Sequence, residues 1–419
     1  MTIRLLLAHF TTGLGACCLL ISGLVHAAVD EALFAAASHE QAALINTLQE
    51  LVMIESGSHD AAGLAQMAQL LDQRLLALGF ATQRHKSAFD VGADTVVGRL
   101  TGSGHQKILL IAHMDTVYEI GILQSQPWKL DGNKIFGPGI ADAKGGIAVI
   151  LHTLNLLAEA GWRDYAELTV LFNADEEIGS AGSGDLIAEI ADRSDTVLSF
   201  ERGGEKGVGE WLLLGTASYA SVRLEVKGLA AHAGIAPQKG RNAVIELAHQ
   251  LLQTRDEAQS IAGAQLNWTN VKADQAFNQI PDLAIAIGDA RITVAGAERT
   301  LLAALQARVD ANRLVPGTEA SVTVSILRPG YQATPAGYAV AQLAQDIQRE
   351  LKRRPMWIVP MSRGATDAGY AGRSGKAAVV ESLGLAGAGT HARDEYIEID
   401  SITPRLYLVT RLLIELGKR

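Results

Sequence analysis

The chain has 419 residues, of which 48% are hydrophobic, and a formal net charge of −9 at pH 7. This hydrophobic content exceeds what one small core requires, and it predicts two domains or one large domain with an insertion. The acidic balance argues against nucleic acid or an anionic membrane as the partner, and it favours a small-molecule or peptide substrate.

Residues 1–27 have the pattern of an export signal. Arg4 precedes a long run of apolar and small residues, which ends at Ala27 in a sequence typical of a cleavage site. We expect residues 1–27 to be a signal peptide and the mature protein to be periplasmic or secreted. A membrane anchor is the alternative, because the run is nearly long enough to span a bilayer and residues 14–17 weakly resemble a lipoprotein box.

Both cysteines of the chain, Cys17 and Cys18, fall inside this segment. A mature chain that begins near Ala28 would contain no thiol, and therefore neither a disulfide nor a thiolate metal ligand. Any transition metal would then be bound by His, Asp and Glu.

The first elements of the mature chain predict an α/β fold. Apolar residues recur at helical spacing between residues 40 and 80, where we expect two helices that end at Gly79. Short apolar runs then predict strands at 107–112, 167–173 and 196–200, with a helix at 146–160. This alternation is typical of a mostly parallel sheet flanked by helices.

The pattern changes near Leu213, where we expect an inserted α+β domain. Strand patterns occur at 221–226, 285–287 and 321–326, and helical patterns occur at 242–255 and 297–309. We interpret residues 216–328 as the insertion, so that residues 28–215 and 329–419 form one domain, which includes predicted helices at 338–354 and 403–418.

Polar residues follow the predicted strands, at the sheet edge where ligands gather in α/β folds. His113 and Asp115 follow the first strand on the same side, because side chains alternate along a strand. A carboxylate in that position can accept the second imidazole N–H of a metal-bound histidine. Glu201 follows the third strand, and His391 lies in a glycine-rich loop near the C-terminus. A single histidine after a strand would more often be an ordinary polar residue.

Two further acidic segments can each be interpreted in two ways, as ordinary structural features or as metal sites. Asp142 lies in a glycine-rich turn that opens a helix, where it could cap the helix or bridge two metal ions. Asp175, Glu176 and Glu177 end the second strand, where they form either a solvated acidic loop or a metal site. Burying such acids without cations would cost several kcal/mol per ion.

Five residues together make a ligand set of nitrogen and oxygen without sulfur: His113, Asp142, Glu177, Glu201 and His391. A set with this excess of carboxylates suits two zinc ions, with cobalt or manganese as substitutes.

The order of these motifs resembles a known family. The motifs are His113-x-Asp115, Ala141-Asp142-x-Lys144-Gly145-Gly146, Asp175-Glu176-Glu177-x-Gly179-Ser180, Glu201, Ala231-His232-Ala233-Gly234 and Thr390-His391. They resemble the dinuclear zinc peptidases of family M20, which include glutamate carboxypeptidase G-type enzymes, succinyl-diaminopimelate desuccinylase and acetylornithine deacetylase. The resemblance covers essentially the whole mature chain. It implies a zinc-peptidase catalytic domain, an inserted lid and dimerisation domain, and a homodimer.

The resemblance also implies a role for each metal-site residue. Asp142 would bridge two zinc ions, His113 and Glu201 would complete one site, and Glu177 and His391 would complete the other. Glu176 would be the general base, which takes a proton from water and passes it to the leaving nitrogen. Asp115 would orient His113.

The inserted segment resembles the family in its substrate-binding residues. His232 would reach the active site of the partner subunit and stabilise the tetrahedral oxyanion. Asn278 and Arg291 would hold the terminal carboxylate of the substrate, with Arg328 as a further candidate for the same region. A guanidinium suits this task because it can bind a carboxylate through two hydrogen bonds.

Two departures from the family pattern bear on specificity. Arg363-Gly364-Ala365-Thr366-Asp367-Ala368 stands where the family often has Gly-Gly-Thr-Asp-Ala, so we expect a different pocket wall near Gly364. Trp211 stands about where glutamate-releasing relatives tend to carry a basic residue, which favours an aromatic or apolar side chain over an acidic one.

We therefore expect a carboxypeptidase or N-acyl amino acid amidohydrolase, with glutamate as the leading released residue. One alternative is an acetyl or succinyl deacylase, a cytoplasmic activity that the export signal disfavours. Another is a carboxypeptidase that prefers apolar or aromatic residues. A binding protein that keeps the fold without catalysis is a hypothesis of another class.

Overall fold

The computed structural model describes residues 28–87, 94–205, 207–352 and 355–419. The predicted signal peptide therefore lies outside the described residues. The helices are α1 Glu31–Val52, α2 Ala61–Ala77, α3 Gly145–Glu159, α4 Gly184–Ala191, α5 Ala243–Thr254, α6 Ala297–Ala311, α7 Pro335–Glu350, α8 Ala368–Ala371 and α9 Ile402–Gly417.

The strands are β1 Ala81–His85, β2 Thr95–Thr101, β3 Lys107–His113, β4 Lys129–Asp131, β5 Lys134–Phe136, β6 Glu167–Asn173, β7 Thr196–Ser199, β8 Gly204–Glu205, β9 Gly209–Leu213, β10 Gly215–Thr216, β11 Ser218–Lys227, β12 Ala231–His232, β13 Ala264–Lys272, β14 Gln279–Ile280, β15 Leu283–Ile292, β16 Glu319–Arg328, β17 Tyr331–Gln332, β18 Met356–Val359, β19 Ala378–Val380, β20 Gly387–Ala388 and β21 Tyr396–Glu398.

A six-stranded sheet forms the centre of the larger unit, with the strand order β1-β2-β6-β3-β7-β19. β6, β3, β7 and β19 are parallel to one another, whereas β2 pairs antiparallel with both β6 and the edge strand β1. β3 and β6 are buried on both faces, which explains their continuous apolar sequences. Their parallel register places His113 beside Asn173 at the carboxyl end of the sheet.

Helix α3 packs in the interior, against β3 on one side and against α1 and α9 on the other. Its residues from Gly145 to Leu154 are all buried, and most of them are apolar. The segment Ile140–Glu159 has the length and hydropathy of a membrane span, but 89% of its apolar 18-residue stretch is buried inside the protein. It is therefore a core helix.

Residues 218–328 form a second sheet with its own hydrophobic core. The strand order is β13-β15-β11-β16, all antiparallel, and helices α5 and α6 pack against the sheet. The expected strands at 221–226, 285–287 and 321–326 lie within β11, β15 and β16. Strand β13, at one edge, was not predicted. The antiparallel pair of β10 and β17 joins the chain on either side of this unit.

A small sheet with the order β20-β21-β5-β4 lies beside the carboxyl end of the large sheet. β20 and β21 enclose the loop that carries His391, and β5 leads into the turn that carries Asp142. This sheet therefore brings two distant parts of the chain to one edge of the large sheet.

Candidate metal centre and active site

Two groups of possible metal ligands meet at Asp142. His113, Asp142 and Glu201 form the first group, and Asp142, Glu177 and His391 form the second, with the ligand atoms of each group within 4.8 Å of one another. His113 Nε2 lies 3.0 Å from Asp142 Oδ1 and 3.4 Å from Glu201 Oε1. His391 Nε2 lies 3.2 Å from both Asp142 Oδ2 and Glu177 Oε2. All five predicted ligands are therefore together, and each oxygen of Asp142 faces a different histidine.

The donor set fits two metal ions. Each group has one imidazole and two carboxylates, without sulfur, which suits zinc and similar divalent ions. Burial raises the pKa of Glu177, and it raises the pKa of Glu201 to about 8, since the charged forms of these acids are poorly solvated. Cations between these carboxylates would stabilise their charged forms.

The histidines of the two groups have raised pKa values because of the carboxylates around them. Burial alone would lower the pKa of His113, but neighbouring Glu201, Asp115 and Asp142 raise it well above its ordinary value. Hydrogen bonds to Asp142 and Glu177 raise the pKa of His391 to about 10. The site therefore has a strong negative field, which favours bound cations.

The turn before α3 presents Asp142 to the metal groups. The helix begins at Gly145, and the Asp142 side chain makes no capping hydrogen bond to it. The peptide bond between Asp142 and Ala143 is cis. The capping interpretation of Asp142 was therefore wrong, because its carboxylate points to His113 and His391.

Asp115 supports the site differently from the sequence expectation. His113 Nδ1 lies 3.0 Å from the Asp115 carbonyl oxygen and 3.4 Å from its carboxylate oxygen Oδ1. The carboxylate instead accepts hydrogen bonds from the Ser58 hydroxyl at 2.8 Å and from the backbone N–H groups of Glu176 and Glu177 at 3.1 Å. Asp115 therefore orients His113 chiefly through its backbone, and its carboxylate positions the two glutamates.

The acidic segment after β6 is not a solvated loop. Asp175 and Glu176 are 1% and 6% exposed. Asp175 accepts hydrogen bonds from the backbone N–H groups of Gly182 and Ser183 and from the Ser183 hydroxyl. The first acid thus stabilises the turn, and the next two face the metal groups and their surroundings.

Glu176 forms a buried ion pair with Arg328 at the end of β16. The guanidinium also donates to the Glu176 carbonyl oxygen and, at 2.7 Å, to the carbonyl oxygen of Ala365. Burial raises the pKa of Glu176 well above its ordinary value, and the charge of Arg328 opposes this shift. Arg328 thus joins the second sheet to the metal centre.

A cavity of about 640 Å³ opens onto both metal groups. Besides Asp142, Glu176, Glu177, Glu201 and His391, it is lined by Tyr219, Arg291, Arg328, Ala365 and Thr366, among others. The Arg291 guanidinium donates two hydrogen bonds of 2.9 Å to Asp289 and lies 4.5 Å from the centre of the Tyr219 ring. These contacts hold a positive charge at the cavity wall.

Besides the buried His113 and Asp115, four predicted site residues do not line this cavity. Trp211 lies on β9, beside Trp357 of β18 and 5.0 Å from the Arg202 guanidinium. The specificity inferred from Trp211 therefore loses its basis. Gly364 is exposed, whereas its neighbours Ala365 and Thr366 line the cavity.

His232 and Asn278 lie together elsewhere on the second unit. Both are exposed, and Ala233, next to His232, donates its backbone N–H to the Asn278 carbonyl oxygen at 2.9 Å. His232 Nδ1 accepts hydrogen bonds from the backbone N–H groups of Gly234 and Ile235. The chain's own cavity is therefore formed without these two side chains.

Sequence reasoning missed Glu395, a fully buried residue that joins two ligand-bearing loops. Its carboxylate accepts hydrogen bonds from the backbone N–H groups of Gly139, Ala141 and Asp142 at 2.8–3.1 Å and from the Tyr118 hydroxyl at 2.8 Å. Burial raises its pKa to about 7. An acid four residues after His391 was the only signal for it in the sequence.

Asp367 was also missed as a supporting residue, although it lies in the segment that departs from the family pattern. Its carboxylate accepts hydrogen bonds from the Asn173 amide at 2.7 Å and from the Ser180 hydroxyl. It thus connects the end of β6 with the turn that follows Glu176 and Glu177.

Comparison with known proteins places this site in a family. A family model described as "Peptidase family M20/M25/M40" matches residues 109–415. The chain belongs to this family. It is also 43% identical over 392 residues to carboxypeptidase G2 of Pseudomonas sp. (strain RS-16), covering 93% of this chain and 92% of that relative. A more distant relative is the succinyl-diaminopimelate desuccinylase of Gluconobacter oxydans (strain 621H), 25% identical over 76% of this chain and 84% of that relative.

Solved structures of peptidases share the fold. The M20 family metallo-carboxypeptidase Sso-CP2 from Sulfolobus solfataricus has a TM-score of 0.72 and 16% identity, covering 90% of this chain and 99% of that chain. Aminopeptidase PepT from Bacillus cereus ATCC 10987 has a TM-score of 0.74 and 20% identity, with the same coverage. The predicted family and the predicted α/β fold class are therefore confirmed, and this M20 protein is a hydrolase.

Proposed function

We propose that this protein is a metallo-carboxypeptidase that hydrolyses the amide bond between an N-acyl group and a C-terminal amino acid. The observation that carries the proposal is one cavity whose lining includes residues of both metal-ligand groups, the buried carboxylate of Glu176 and an arginine. The 43% identity to carboxypeptidase G2 supports the same reaction class.

Two zinc ions are the proposed cofactors, with His113, Asp142 and Glu201 at one ion and Asp142, Glu177 and His391 at the other. Bound there, they would polarise the scissile carbonyl and acidify the attacking water. Cobalt or manganese would be accepted by the same ligands.

Glu176 is the proposed general base. Its carboxylate is next to the metal groups but belongs to neither of them. It would take a proton from the attacking water and deliver that proton to the leaving nitrogen. Arg328 favours the charged carboxylate that the first proton transfer requires, because a nearby positive charge opposes the effect of burial.

Arg291 is the proposed binding group for the free carboxylate of the substrate. Asp289 and Tyr219 hold its guanidinium at the cavity wall, while its Nη1 has only a 3.5 Å contact with the carbonyl oxygen of Arg363. A guanidinium oriented in this way offers a charge-assisted hydrogen bond to a carboxylate.

Glutamate is the leading candidate for the released residue, with an apolar or aromatic residue as the alternative. The test is hydrolysis of N-acyl substrates that end in glutamate, phenylalanine, leucine or alanine by the zinc-loaded protein, with a chelator control. Chelator-sensitive release that favours glutamate supports the proposal. Preference for an apolar residue would mean that the enzyme is a carboxypeptidase that releases apolar rather than acidic amino acids. Activity on acetyl or succinyl substrates alone would favour a deacylase.

We further propose a homodimer in which the segment 216–328 is the lid and dimerisation domain. His232 and Asn278 are exposed next to Ile235 and Phe277, which are 78% and 100% exposed. Edge strand β13 also offers unpaired backbone groups to a second copy. His232 of the partner subunit would then stabilise the oxyanion, and Asn278 of the partner subunit would contact the substrate carboxylate.

Mixing two inactive variants tests this arrangement. Glu176→Gln and His232→Ala are each expected to abolish turnover, and their mixed dimers contain one site with both residues intact. Random exchange of subunits should restore about a quarter of the wild-type activity. A monomer in sedimentation, or no recovery from a mixed dimer isolated by dual affinity tags, would contradict the proposal.

Export is a separate proposal that rests on residues 1–27. N-terminal sequencing of the protein from fractionated cells tests it. A mature periplasmic form that begins near Ala28 supports export, whereas an intact N-terminus in the cytoplasm would contradict it.

A further inference from the structure

Glu381 is a buried acid that the proposed mechanism does not use. It follows β19 directly and is 0% exposed. Neither of its carboxylate oxygens accepts a hydrogen bond of ordinary geometry from a residue that the structure describes. In contrast, the carboxylates of Asp115 and Glu395 each accept at least three hydrogen bonds. Burying a polar group without a partner is costly, so native proteins retain such a group chiefly where a bound ion, a water or a function compensates for it.

The register of the large sheet places Glu381 beneath the first metal-ligand group. Strands β19 and β7 pair in parallel along the whole of β19, so the next residue, Glu381, lies beside Ser199 at the end of β7. Ser199 also pairs with Ile111 of β3. Two residues farther along these chains come Glu201 and His113, which project from the same face because side chains alternate along a strand. Two strand residues span about 6.5 Å, so Glu381 lies roughly 7 Å below these two ligands.

The electrostatic environment of Glu381 includes this ligand group. Burial raises the pKa of Glu381 to about 8, the charges of Asp367 and Glu176 add to the rise, and the positive charge of His113 opposes it. Burial is also the main cause of the raised pKa of Glu201, and the charge of Glu381 adds to that rise. Glu381 therefore adds negative charge to a region in which the first metal-ligand group already concentrates it.

The segment after Glu381 is fixed to the segment that carries Glu201. Ser382 has a left-handed backbone with a φ of 75°, which is uncommon for a residue other than glycine. The backbone N–H of Leu383 donates to the Ser199 carbonyl oxygen at 3.0 Å, and that of Gly384 donates to the Glu201 carbonyl oxygen at 2.8 Å. The position of Glu381 relative to Glu201 is therefore set by the backbone.

We propose that Glu381 is a supporting residue for the first metal ion, and that its buried carboxylate raises the affinity of the group His113, Asp142 and Glu201 for a divalent cation without being a ligand. This inference rests on the proposed function, which assigns zinc to that group. A divalent cation roughly 7 Å away would supply the positive charge that Glu381 lacks, and at an effective dielectric constant of about 20 the attraction favours binding by at least about tenfold.

The second metal-ligand group should gain less from Glu381. In the sheet order, β19 adjoins β7, which leads to Glu201, whereas Glu177 follows β6 on the far side of β3. Because electrostatic attraction decreases with distance, the effect of Glu381 should be concentrated on one of the two ions.

Glu381→Gln removes the charge and keeps the shape of the side chain. Zinc titration of the metal-free protein against a competing chelator should show one ion that is bound about tenfold more weakly, or weaker still, and a second ion that is nearly unchanged. In a His391→Ala protein, which retains the first group, Glu381→Gln should weaken the remaining ion by the same factor. In a Glu201→Ala protein it should change zinc binding much less. Glu381→Asp keeps the charge and should bind zinc more tightly than Glu381→Gln.

Urea unfolding of the metal-free protein separates this role from a structural one. Glutamine should leave the urea midpoint unchanged or raise it, because the carboxylate oxygens that it replaces accept no hydrogen bond from the described residues. Glu246→Gln is the matched control. Glu246 is 0% exposed on α5, away from the metal groups, and accepts hydrogen bonds from the Gln250 amide at 2.6 Å and from the Val315 backbone N–H at 2.7 Å. This control should lower the urea midpoint and leave zinc affinity unchanged.

The possible failures are distinguishable. Equal zinc affinities of the wild type and Glu381→Gln would overturn the inference, and so would a lower urea midpoint of metal-free Glu381→Gln, which is the result expected of a purely structural residue. Either outcome would leave the carboxypeptidase proposal standing. If the wild-type protein binds fewer than two zinc ions, the proposed cofactor arrangement fails and this inference fails with it.

Discussion

Replacing Glu395 by glutamine tests how the two loops of the second metal-ligand group are held. Oε1 accepts from the backbone N–H groups of Ala141 and Asp142, at 2.8 and 3.1 Å. Oε2 accepts from the backbone N–H of Gly139 at 2.9 Å and from the Tyr118 hydroxyl at 2.8 Å. The site thus presents four donors to one carboxylate.

Glutamine has only one oxygen, so its NH₂ group must face one of these pairs. The better orientation places the NH₂ against Gly139 and Tyr118, because the tyrosine hydroxyl can accept from it and donate to the Ala392 carbonyl oxygen 2.8 Å away. The backbone N–H of Gly139 then has no partner. A buried donor without a partner costs about 1–3 kcal/mol, and the remaining bonds lose their charge assistance.

One effect opposes this loss, because glutamine is easier to bury than a carboxylate. Burial raises the pKa of Glu395 to about 7, which means that the charged carboxylate is buried at a cost in free energy in the native protein. Glutamine avoids this cost. We therefore expect Glu395→Gln to lower the free energy of unfolding by about 2 kcal/mol. The variant should also weaken zinc binding by about 10–100-fold, as for other residues that support metal ligands.

Urea unfolding of the metal-free protein and zinc titration against a competing chelator measure the two effects separately. Glu189→Gln is the control, because Glu189 lies on the surface of α4 and pairs with exposed Arg193 just beyond the end of that helix. Its loss should change stability by less than about 0.5 kcal/mol. Unchanged stability and zinc affinity in Glu395→Gln would refute the reasoning.

Three further predictions concern catalysis and pH. Glu176→Gln should lower kcat by about 10²–10⁴-fold while zinc content stays at the wild-type level, and full activity would exclude Glu176 as the base. Arg291→Ala should lower kcat/KM about tenfold or more for a free carboxylate but much less for the C-terminal amide. Arg299→Ala, a substitution of an exposed arginine, is its control, and equal losses on both substrates would contradict the assignment. Burial lowers the pKa of His152 despite its 2.6 Å contact with Glu40. Below about pH 6.5, His152 is therefore protonated more readily in the unfolded chain than in the native protein. Stability should therefore fall as pH decreases below 6.5, with a contribution of at most about 1.4 kcal/mol per pH unit. In urea unfolding, His152→Gln should flatten this slope, and an identical slope in both proteins would contradict the assignment.

Local sequence patterns were sufficient to predict the main elements of the large sheet. The expected strand at 107–112 is β3 Lys107–His113, and the expected strand at 167–173 is β6 Glu167–Asn173. Both strands are continuous apolar runs because helices and neighbouring strands bury both of their faces. β13 was missed, since it lies at a sheet edge where its residues are largely exposed and lack a clear alternation.

Three of the five candidate metal ligands end or follow strands of the large sheet, and parallel strands bring their carboxyl ends to one edge. That rule predicts the proximity of His113, Glu177 and Glu201 without knowledge of the loops. His391 was a candidate ligand from its glycine-rich loop, but its place beside the other ligands rested on the family resemblance, since its loop reaches the site through pairing of β21 with β5.

The sequence by itself therefore determined the α/β class and the order of the elements, which depend on periodicity. It also identified the candidate ligands, three of them from the geometry of parallel strands and Asp142 and His391 from their glycine-rich segments and the family resemblance. Only the tertiary structure decided that Glu395 holds the Asp142 turn and that the Asp115 carboxylate accepts hydrogen bonds from the backbone N–H groups of Glu176 and Glu177. It also decided that Trp211 lies away from the cavity. These relations join residues far apart in the chain. They depend on how loops meet in three dimensions, and local sequence patterns do not predict which backbone N–H group will donate to a buried carboxylate.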